Sequence, residues 1–129
     1  MNFSEQYKHP KWQKRRLDYM NWLMDEYDVD CPFCQWCGDG EHLLNLHHLI
    51  YFKDRKVWEY QNAELLLVCE NCHKDIHNLQ NKLKYDFAIL CNDGFEKAYN
   101  VFDAMQKFSS LSISESDKLL KFVQKWKAG

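Results

Sequence analysis

The chain has 129 residues, the usual length of a single domain, of which 46% are hydrophobic and 28% are charged. Residues 1–5 lack the apolar core of a secretory signal, and no apolar run approaches the roughly 20 residues that a membrane span needs. We therefore expect a cytoplasmic protein with reduced cysteines. The formal net charge of −2 differs from the basic charge that is typical of nucleic-acid binders.

The first predicted element is an amphipathic helix over residues 10–27. Pro10 suits the first turn of a helix, and apolar residues recur at mostly helical spacing. They are Trp12, Leu17, Met20, Leu23, Met24 and Tyr27. The same segment carries a basic cluster that is a candidate contact for nucleic acid: Lys11, Lys14, Arg15 and Arg16. A solvated helix face explains these charges equally well.

Two short strands are predicted next, over residues 43–50 and 65–68. The connection over residues 51–63 is long for a compact domain, and loops of this length are often functional. Three basic residues of this loop are further candidate contacts for nucleic acid: Lys53, Arg55 and Lys56.

Helices are expected in the rest of the chain. One begins at Glu70 or Asn71 and ends at about residue 79. Two or three others follow, over residues 82–91, 95–108 and 115–127, and residues 109–112 form a linker. The predicted fold is therefore α+β, with a domain over residues 1–80 and a helical extension over residues 81–129 packed on it.

Two CxxC pairs predict a structural zinc site. Cys34 and Cys37 form the first pair, which Gly38 follows, and Cys69 and Cys72 form the second. Four thiolates give Zn²⁺ a closed tetrahedral site with no position left for substrate. Cys31 with Cys34 is a competing first pair, but Gly38 lets a knuckle turn after Cys37. A remaining cysteine, Cys91, is expected to be a small buried hydrophobe.

Four histidines predict a second, reactive metal site. His73 and His77 lie four residues apart on a helix, so they can converge on one ion. His47 and His48 are adjacent in a strand and point to opposite faces, so one can bind metal while the other acts as a base. The remaining two, His9 and His42, are isolated and are expected at the surface.

The segments that carry these residues resemble the HNH endonuclease family, the zinc-knuckle branch of the ββα-metal nucleases. They are Cys34-x-x-Cys37-Gly38, Leu46-His47-His48-Leu49 and Cys69-x-x-Cys72-His73-x-x-x-His77. The resemblance covers about residues 30–78 and extends loosely to Pro10-Lys11-Trp12 and Arg15-Arg16. It implies a small ββα-metal core with a four-cysteine zinc knuckle and an N-terminal helix, and it does not extend to the helical C-terminal extension in residues 81–129.

The resemblance also implies roles for single residues. His47, His73 and His77 match metal ligands, and His48 matches the general base that activates water. The family has an Asn between the strands that orients the base, at the position of Glu64 here. Either Asn62, two residues earlier, takes that role in a shifted loop, or the carboxylate of Glu64 replaces it.

The expected function is a metal-dependent DNA endonuclease or nickase, and the resemblance implies products with 5′-phosphate and 3′-hydroxyl ends. The alternative is a non-catalytic, zinc-stabilised module that binds nucleic acid or acts as an adaptor. The resemblance implies Mg²⁺ or Mn²⁺ as the catalytic cation beside the structural Zn²⁺, whereas an all-imidazole ligand set suits Zn²⁺, Ni²⁺ or Mn²⁺ better. The low positive charge suggests a protein partner that delivers the chain to DNA, as in a phage packaging, restriction or recombination complex.

Overall fold

The structure is a computed structural model that describes residues 1–107 and 110–128. The chain divides into two compact units, Met1–Gln80 and Asn81–Gly129. The fold is α+β, as predicted: across the described residues, five α-helices accompany one antiparallel sheet of two strands. None of the helices in this part of the chain is both long and apolar enough to cross a bilayer.

The first unit begins with two helices, α1 (Phe3–Lys8) and α2 (Pro10–Tyr27). The pattern of apolar residues predicts α2 with these bounds, but α1 is too short to show a helical repeat and was not predicted. A capping box holds the start of α1, because Asn2 and Glu5 each accept the other's backbone N–H. His9 is not a simple surface residue: it lies between the helices, and its ring caps the start of α2.

Strands β1 (Leu44–His48) and β2 (Leu65–Cys69) pair antiparallel along their whole length. β1 is shorter than predicted at both ends, because Leu43, Leu49 and Ile50 lie outside it and are exposed. β2 runs one residue further than predicted. In each strand every residue but the second is buried, so the sheet lies inside the unit.

The core of the first unit contains side chains from α2, both strands, the loop between them and the cysteine segments. Tyr19 of α2 is almost fully buried, and its hydroxyl donates to Oε1 of Gln35 at 2.6 Å. The same oxygen accepts the N–H of Leu67 in β2 at 2.8 Å, while the N–H of Gln35 donates to the carbonyl of Leu67 at 2.8 Å. Gln35 stands between Cys34 and Cys37, so these bonds tie the first cysteine pair to α2 and β2.

Removing the Tyr19 hydroxyl is expected to destabilise the first unit. Tyr19→Phe leaves the ring in place but takes away a buried hydrogen bond, which should lower the free energy of unfolding by about 1 kcal/mol. Urea denaturation measures this change, and Tyr27→Phe, at an exposed ring of the same helix, is the matched control. Equal stability of the two variants would show that the Gln35 bond does not hold the knuckle.

Helix α3 runs Glu70–Asn92, so the predicted break near residue 80 is wrong. The segment around residues 79–82 holds no glycine or proline that would end a helix, so one helix continues from the first unit into the second.

The second unit also contains α4 (Phe95–Gln106) and α5 (Ile113–Ala128). Both approximate the predicted helices, although residues 108 and 109, in the predicted end of α4 and the linker, lie outside the described residues. Cys91 is only partly buried, in contrast to the prediction. The packing of this unit on the first one stays a prediction.

Candidate metal centre

Four cysteine sulfurs lie close enough together to bind one ion. The Sγ atoms of Cys34, Cys37, Cys69 and Cys72 all lie within 4.8 Å of one another, and those of Cys37 and Cys69 are 3.9 Å apart. Sulfurs bound tetrahedrally at about 2.3 Å from zinc would be about 3.8 Å apart. The four sulfurs could therefore hold a structural zinc ion with little movement.

The first cysteine pair forms a tight turn that aims both sulfurs at the same place. The N–H of Gly38 donates to the carbonyl of Cys34 at 2.8 Å, and Gly38 has a φ of +85°, a conformation that L side chains rarely adopt. Cys31, the competing ligand, is exposed and lies outside the cluster. Gly38 therefore allows the turn that follows Cys37, which is why its presence favours Cys34 with Cys37 as the first pair.

The thiols in this cluster differ in their tendency to ionise. Burial of the Cys34 thiol raises its pKa, but the backbone N–H groups of Cys37, Cys69 and Trp36 lower it to about 6. Burial raises the pKa of Cys72 above its usual range, and the neighbouring thiols raise it further. Four thiolates at this spacing would repel one another strongly, so a cation is needed for all four to ionise.

Three histidines form a second cluster, built by β1 and α3. Nε2 of His73 lies 3.1 Å from Nδ1 of His47 and 3.0 Å from Nε2 of His77. Nitrogens about 2.1 Å from one ion lie about 3.0 Å apart at octahedral angles and about 3.4 Å apart at tetrahedral angles. The three rings could therefore bind one divalent cation, leaving its other positions open.

The electrostatics of this histidine triad suit metal binding. Burial lowers the pKa of His47, although the hydrogen bond to Gln80 partly raises it. Burial also lowers the pKa of His73, and the neighbouring His77 lowers it further. Both rings are thus held in the neutral form that a metal ligand needs.

Gln80 orients one of these rings and was missed by the sequence interpretation. Its Oε1 lies 3.0 Å from Nε2 of His47, and its Nε2 donates to the carbonyl of Leu49 at 3.2 Å. With Gln80 accepting the Nε2–H, the lone pair of His47 is placed on Nδ1, the atom that faces His73. Gln80 therefore sets the tautomer that a metal ion requires.

Replacing Gln80 should weaken metal binding at the triad and leave the cysteine site intact. Partners of this kind contribute about 10- to 100-fold in metal affinity, so Gln80→Leu should raise the Kd by that factor. Calorimetric titration of Mn²⁺ or Ni²⁺ into protein already loaded with one zinc measures the Kd. Asn78→Leu, an exposed change on the same helix, is the control. An unchanged Kd in Gln80→Leu would mean that His47 is oriented without it.

His48 lies among aromatic rings and is not one of the three histidines that form the triad. It is 2% exposed, and its ring lies between Trp12 and Tyr51, stacked at centroid distances of 5.2 and 4.8 Å. Tyr60 meets the imidazole edge-on at 4.7 Å. The two adjacent histidines thus have different surroundings, as their alternation along the strand predicts.

The hydrogen bonding of His48 leaves one ring nitrogen free. Nε2 lies 2.8 Å from the carbonyl oxygen of Val57, which can only accept, so Nε2 carries the proton. Nδ1 is then an acceptor, and it is buried with no hydrogen-bond partner among the described residues. Burial lowers the pKa of His48, more than the bond to Val57 raises it, which favours the neutral ring. The result is an oriented imidazole with an unused lone pair.

Asn62 and Glu64, the two candidates for the residue that orients the base, both brace the loop between the strands. Glu64 accepts from Nη1 of Arg55 at 2.6 Å and from the N–H of Gln61 at 3.0 Å. Asn62 accepts from the guanidinium of Arg15, which also donates to the carbonyl of Tyr60. Neither side chain bonds to His48 itself. The bracing is shared between two residues rather than provided by one.

The residues predicted to contact nucleic acid fall into two groups. Arg15 and Arg55 are engaged in the loop contacts just described, and Arg55 also lies over the ring of Phe52 at 4.2 Å. The other basic residues present at least part of their side chains to solvent: Lys11, Lys14, Arg16, Lys53 and Lys56. Nucleic-acid contact by either group stays a prediction.

An open hollow of about 450 Å³ adjoins the triad. His47 and His73 form part of its wall, and Arg16 is the charged side chain that lines it. Its aromatic wall consists of Tyr7, Trp12 and Tyr51. A ligand in this hollow would therefore lie against two of the three histidines and against the rings that surround His48.

Comparison of the chain with protein-family models, with curated proteins and with solved structures finds no match.

Proposed function

We propose that the chain is a metal-dependent endonuclease or nickase that hydrolyses DNA phosphodiester bonds on an HNH-type ββα-metal core. The observation that carries the proposal is the pairing of an open three-histidine cluster with an oriented, neutral His48 next to it in β1. A module that only binds nucleic acid would need neither feature. The resemblance of the sequence to HNH nucleases supports the same conclusion.

The triad would hold the catalytic cation through His47, His73 and His77. Such an ion, when bound, supplies Lewis-acid polarisation of the phosphodiester and stabilisation of the leaving oxygen. Three imidazoles occupy only part of a coordination sphere, so the substrate has room to approach. We expect Mg²⁺ or Mn²⁺ to support cleavage, with Ni²⁺ and Zn²⁺ as the alternatives that nitrogen ligands favour.

His48 would act as the general base. Its Nε2–H is held by Val57, so Nδ1 is the atom that takes the proton from the attacking water. Nδ1 is buried in this structure, and a covering side chain must shift when substrate and water enter. Tyr51 is the best placed to move, since it lies in the loop and is half exposed, whereas Trp12 is buried in the core.

The four-cysteine cluster would have a structural role. With all four positions around zinc filled by sulfur, no position remains for substrate. The ion would join the knuckle to the end of β2 and the start of α3, and His73 follows Cys72 directly. The closed site thus fixes the helix on which two ligands of the open site lie.

The substrate would enter over the hollow beside the triad. Arg16 lines that hollow, so a phosphate of DNA would meet one positive charge there, whereas Lys11 and Lys14 of the same helix line a separate hollow beside Trp58. The net charge of −2 favours weak binding to bare DNA, and a partner protein that delivers the chain to DNA is part of the proposal.

One assay tests the proposed activity. The wild-type protein is incubated with supercoiled plasmid in Mg²⁺, Mn²⁺, Ni²⁺ or Zn²⁺, with and without excess EDTA, and the product ends are identified by ligation and end-labelling. We expect nicked or linear product with 5′-phosphate ends, abolished by EDTA. Absence of cleavage in every metal would favour the second candidate, a non-catalytic module, which the burial of Nδ1 of His48 supports.

A further inference from the structure

We propose that Gln6 is a positioning residue for His48, acting through the peptide groups of Val57. The inference rests on the proposed function for its effect on cleavage. The positions of Gln6, Val57 and His48 are independent of it. Gln6 belongs to α1, the short helix that the sequence pattern does not predict.

A chain of two hydrogen bonds joins Gln6 to the imidazole. Oε1 of Gln6 accepts the N–H of Val57 at 2.8 Å, and the carbonyl oxygen of Val57 lies 2.8 Å from Nε2 of His48. The three residues are buried: Val57 is fully buried, His48 is 2% exposed and Gln6 is 6% exposed. Bonds of this length in a buried environment constrain the positions of both partners.

Val57 needs such an anchor because of where it lies. It belongs to a turn in the loop between β1 and β2, before the short 3₁₀ helix Asn62–Glu64, so no helix or strand ladder fixes its own peptide groups. Among the hydrogen bonds of the described residues, the partner of its N–H is Gln6. Release of that N–H would free the carbonyl of the same residue to move away from Nε2 of His48.

The carbonyl of Val57 determines which nitrogen of His48 is the base. A carbonyl oxygen can only accept, so it selects the tautomer with the proton on Nε2 and the lone pair on Nδ1. If the carbonyl moves away, the Nε2–H tautomer is no longer favoured, and the neutral ring can carry its proton on Nδ1 instead. Gln6 therefore protects both the orientation of the ring and the position of its lone pair.

The other end of the Gln6 amide is also engaged. Its Nε2 donates to the carbonyl of Met1 at 3.2 Å, which fixes the orientation of the amide so that oxygen faces Val57. The next residue, Tyr7, places its hydroxyl 2.8 Å from that of Tyr51, whose ring stacks on His48. α1 thus constrains His48 by two routes, one through the loop backbone and one through a covering ring.

Two substitutions separate hydrogen bonding from packing at this position. Gln6→Met keeps the length of the side chain but has no oxygen acceptor, whereas Gln6→Glu keeps an acceptor oxygen. Three properties are measured in each variant and in wild type: the thermal midpoint, the kcat and KM for plasmid nicking, and the tautomer of His48. The tautomer is read from long-range ¹H–¹⁵N NMR of ¹⁵N-histidine-labelled protein, and the His48 signals are identified by their loss in His48→Gln.

Our proposal predicts a specific pattern across these variants. Wild type and Gln6→Glu should show His48 with its proton on Nε2, and Gln6→Met should show a mixture of tautomers. In Gln6→Met the kcat should fall about 10- to 100-fold, as for a reacting group that is slightly misplaced, with little change in KM. Gln6→Glu should recover most of the kcat.

Two results would overturn the proposal. One is an unchanged His48 tautomer in a folded Gln6→Met protein, and the other is a Gln6→Glu protein that keeps the proton of His48 on Nε2 but cuts as slowly as Gln6→Met. If Gln6→Met does not fold, amide exchange in wild type decides: rapid exchange of the Val57 N–H overturns the proposal, and protection supports it. If wild type cuts nothing, the nuclease function fails, and the tautomer result still decides the role of Gln6.

Discussion

Replacing His48 with alanine is expected to lower the rate of plasmid cleavage by about 10²- to 10⁴-fold, the usual contribution of a general base. Metal affinity at the triad should stay close to wild type, because the ligand atoms belong to His47, His73 and His77. Single-turnover cleavage in Mn²⁺ measures the rate, and calorimetric titration measures the affinity.

The alanine variant also removes a buried ring from between Trp12 and Tyr51, so a loss of stability must be separated from a loss of chemistry. His48→Gln fills more of that space and should be equally slow if the base is what is missing. His42→Ala, at an exposed histidine outside both clusters, is the matched control and should cut normally. A folded His48→Ala or His48→Gln protein that cuts as fast as wild type would remove His48 from the mechanism.

Replacing Cys69 with alanine is expected to remove the structural zinc and most of the stability of the first unit. A structural zinc site contributes about 10–16 kcal/mol of apparent binding free energy in small zinc domains, which is comparable to the stability of a whole domain, about 5–15 kcal/mol. Zinc per chain by mass spectrometry under native conditions, together with thermal unfolding, measures both effects. We expect no bound zinc at the cysteine site and loss of the cooperative transition.

Cys31→Ala is the matched control for this variant. Cys31 is the ligand of the competing CxxC pair, but it is exposed and lies outside the four-sulfur cluster. Its alanine variant should keep one tightly bound zinc and its thermal midpoint. Loss of zinc from Cys31→Ala, or retention of zinc by Cys69→Ala, would show that the ligand set is different.

Both clusters of candidate ligands could be predicted from the sequence because most of their members occur in pairs that are only three or four residues apart. A CxxC pair turns two sulfurs to one side, and two histidines four residues apart share one face of a helix. Joining the pairs needs only the β1–β2 hairpin and α3, and the hydrophobic runs indicate these elements. The alternation of His47 and His48 follows from the two-residue period of a strand.

The residues that orient the site could not be predicted in this way. Gln6, Gln35 and Gln80 act through side-chain amides, and their hydrogen-bond partners are brought close by tertiary packing. No spacing in the sequence identifies these three residues. Gln6 bonds to residue 57, and Gln80 bonds to residues 47 and 49. These partners are distant in sequence, so their contacts are visible only in the folded structure. Helix α1 was missed for a related reason, since six residues show too little periodicity.

The choice between Asn62 and Glu64 as the residue that orients the base illustrates a different limit. The sequence leaves Asn62 and Glu64 as alternatives, because each has the hydrogen-bonding groups that a loop brace needs. In the structure they bond to different partners, Asn62 to Arg15 and Glu64 to Arg55. Two guanidinium groups that the charge pattern predicts as nucleic-acid contacts are therefore engaged in the loop. Charge along a chain does not distinguish an exposed cation from one paired within the fold.

If the protein has two separate metal sites, a closed one that holds the fold and an open one that cuts DNA, a substitution in the open site should abolish cleavage without removing the structural zinc. The most direct test compares plasmid nicking by wild type with nicking by His73→Ala, after mass spectrometry has confirmed one zinc per chain in each. We predict that wild type nicks in Mg²⁺ or Mn²⁺ and that His73→Ala, with its structural zinc intact, does not. Equal cleavage by the two proteins, or no cleavage by wild type in any metal, would contradict this division between a structural and a catalytic site.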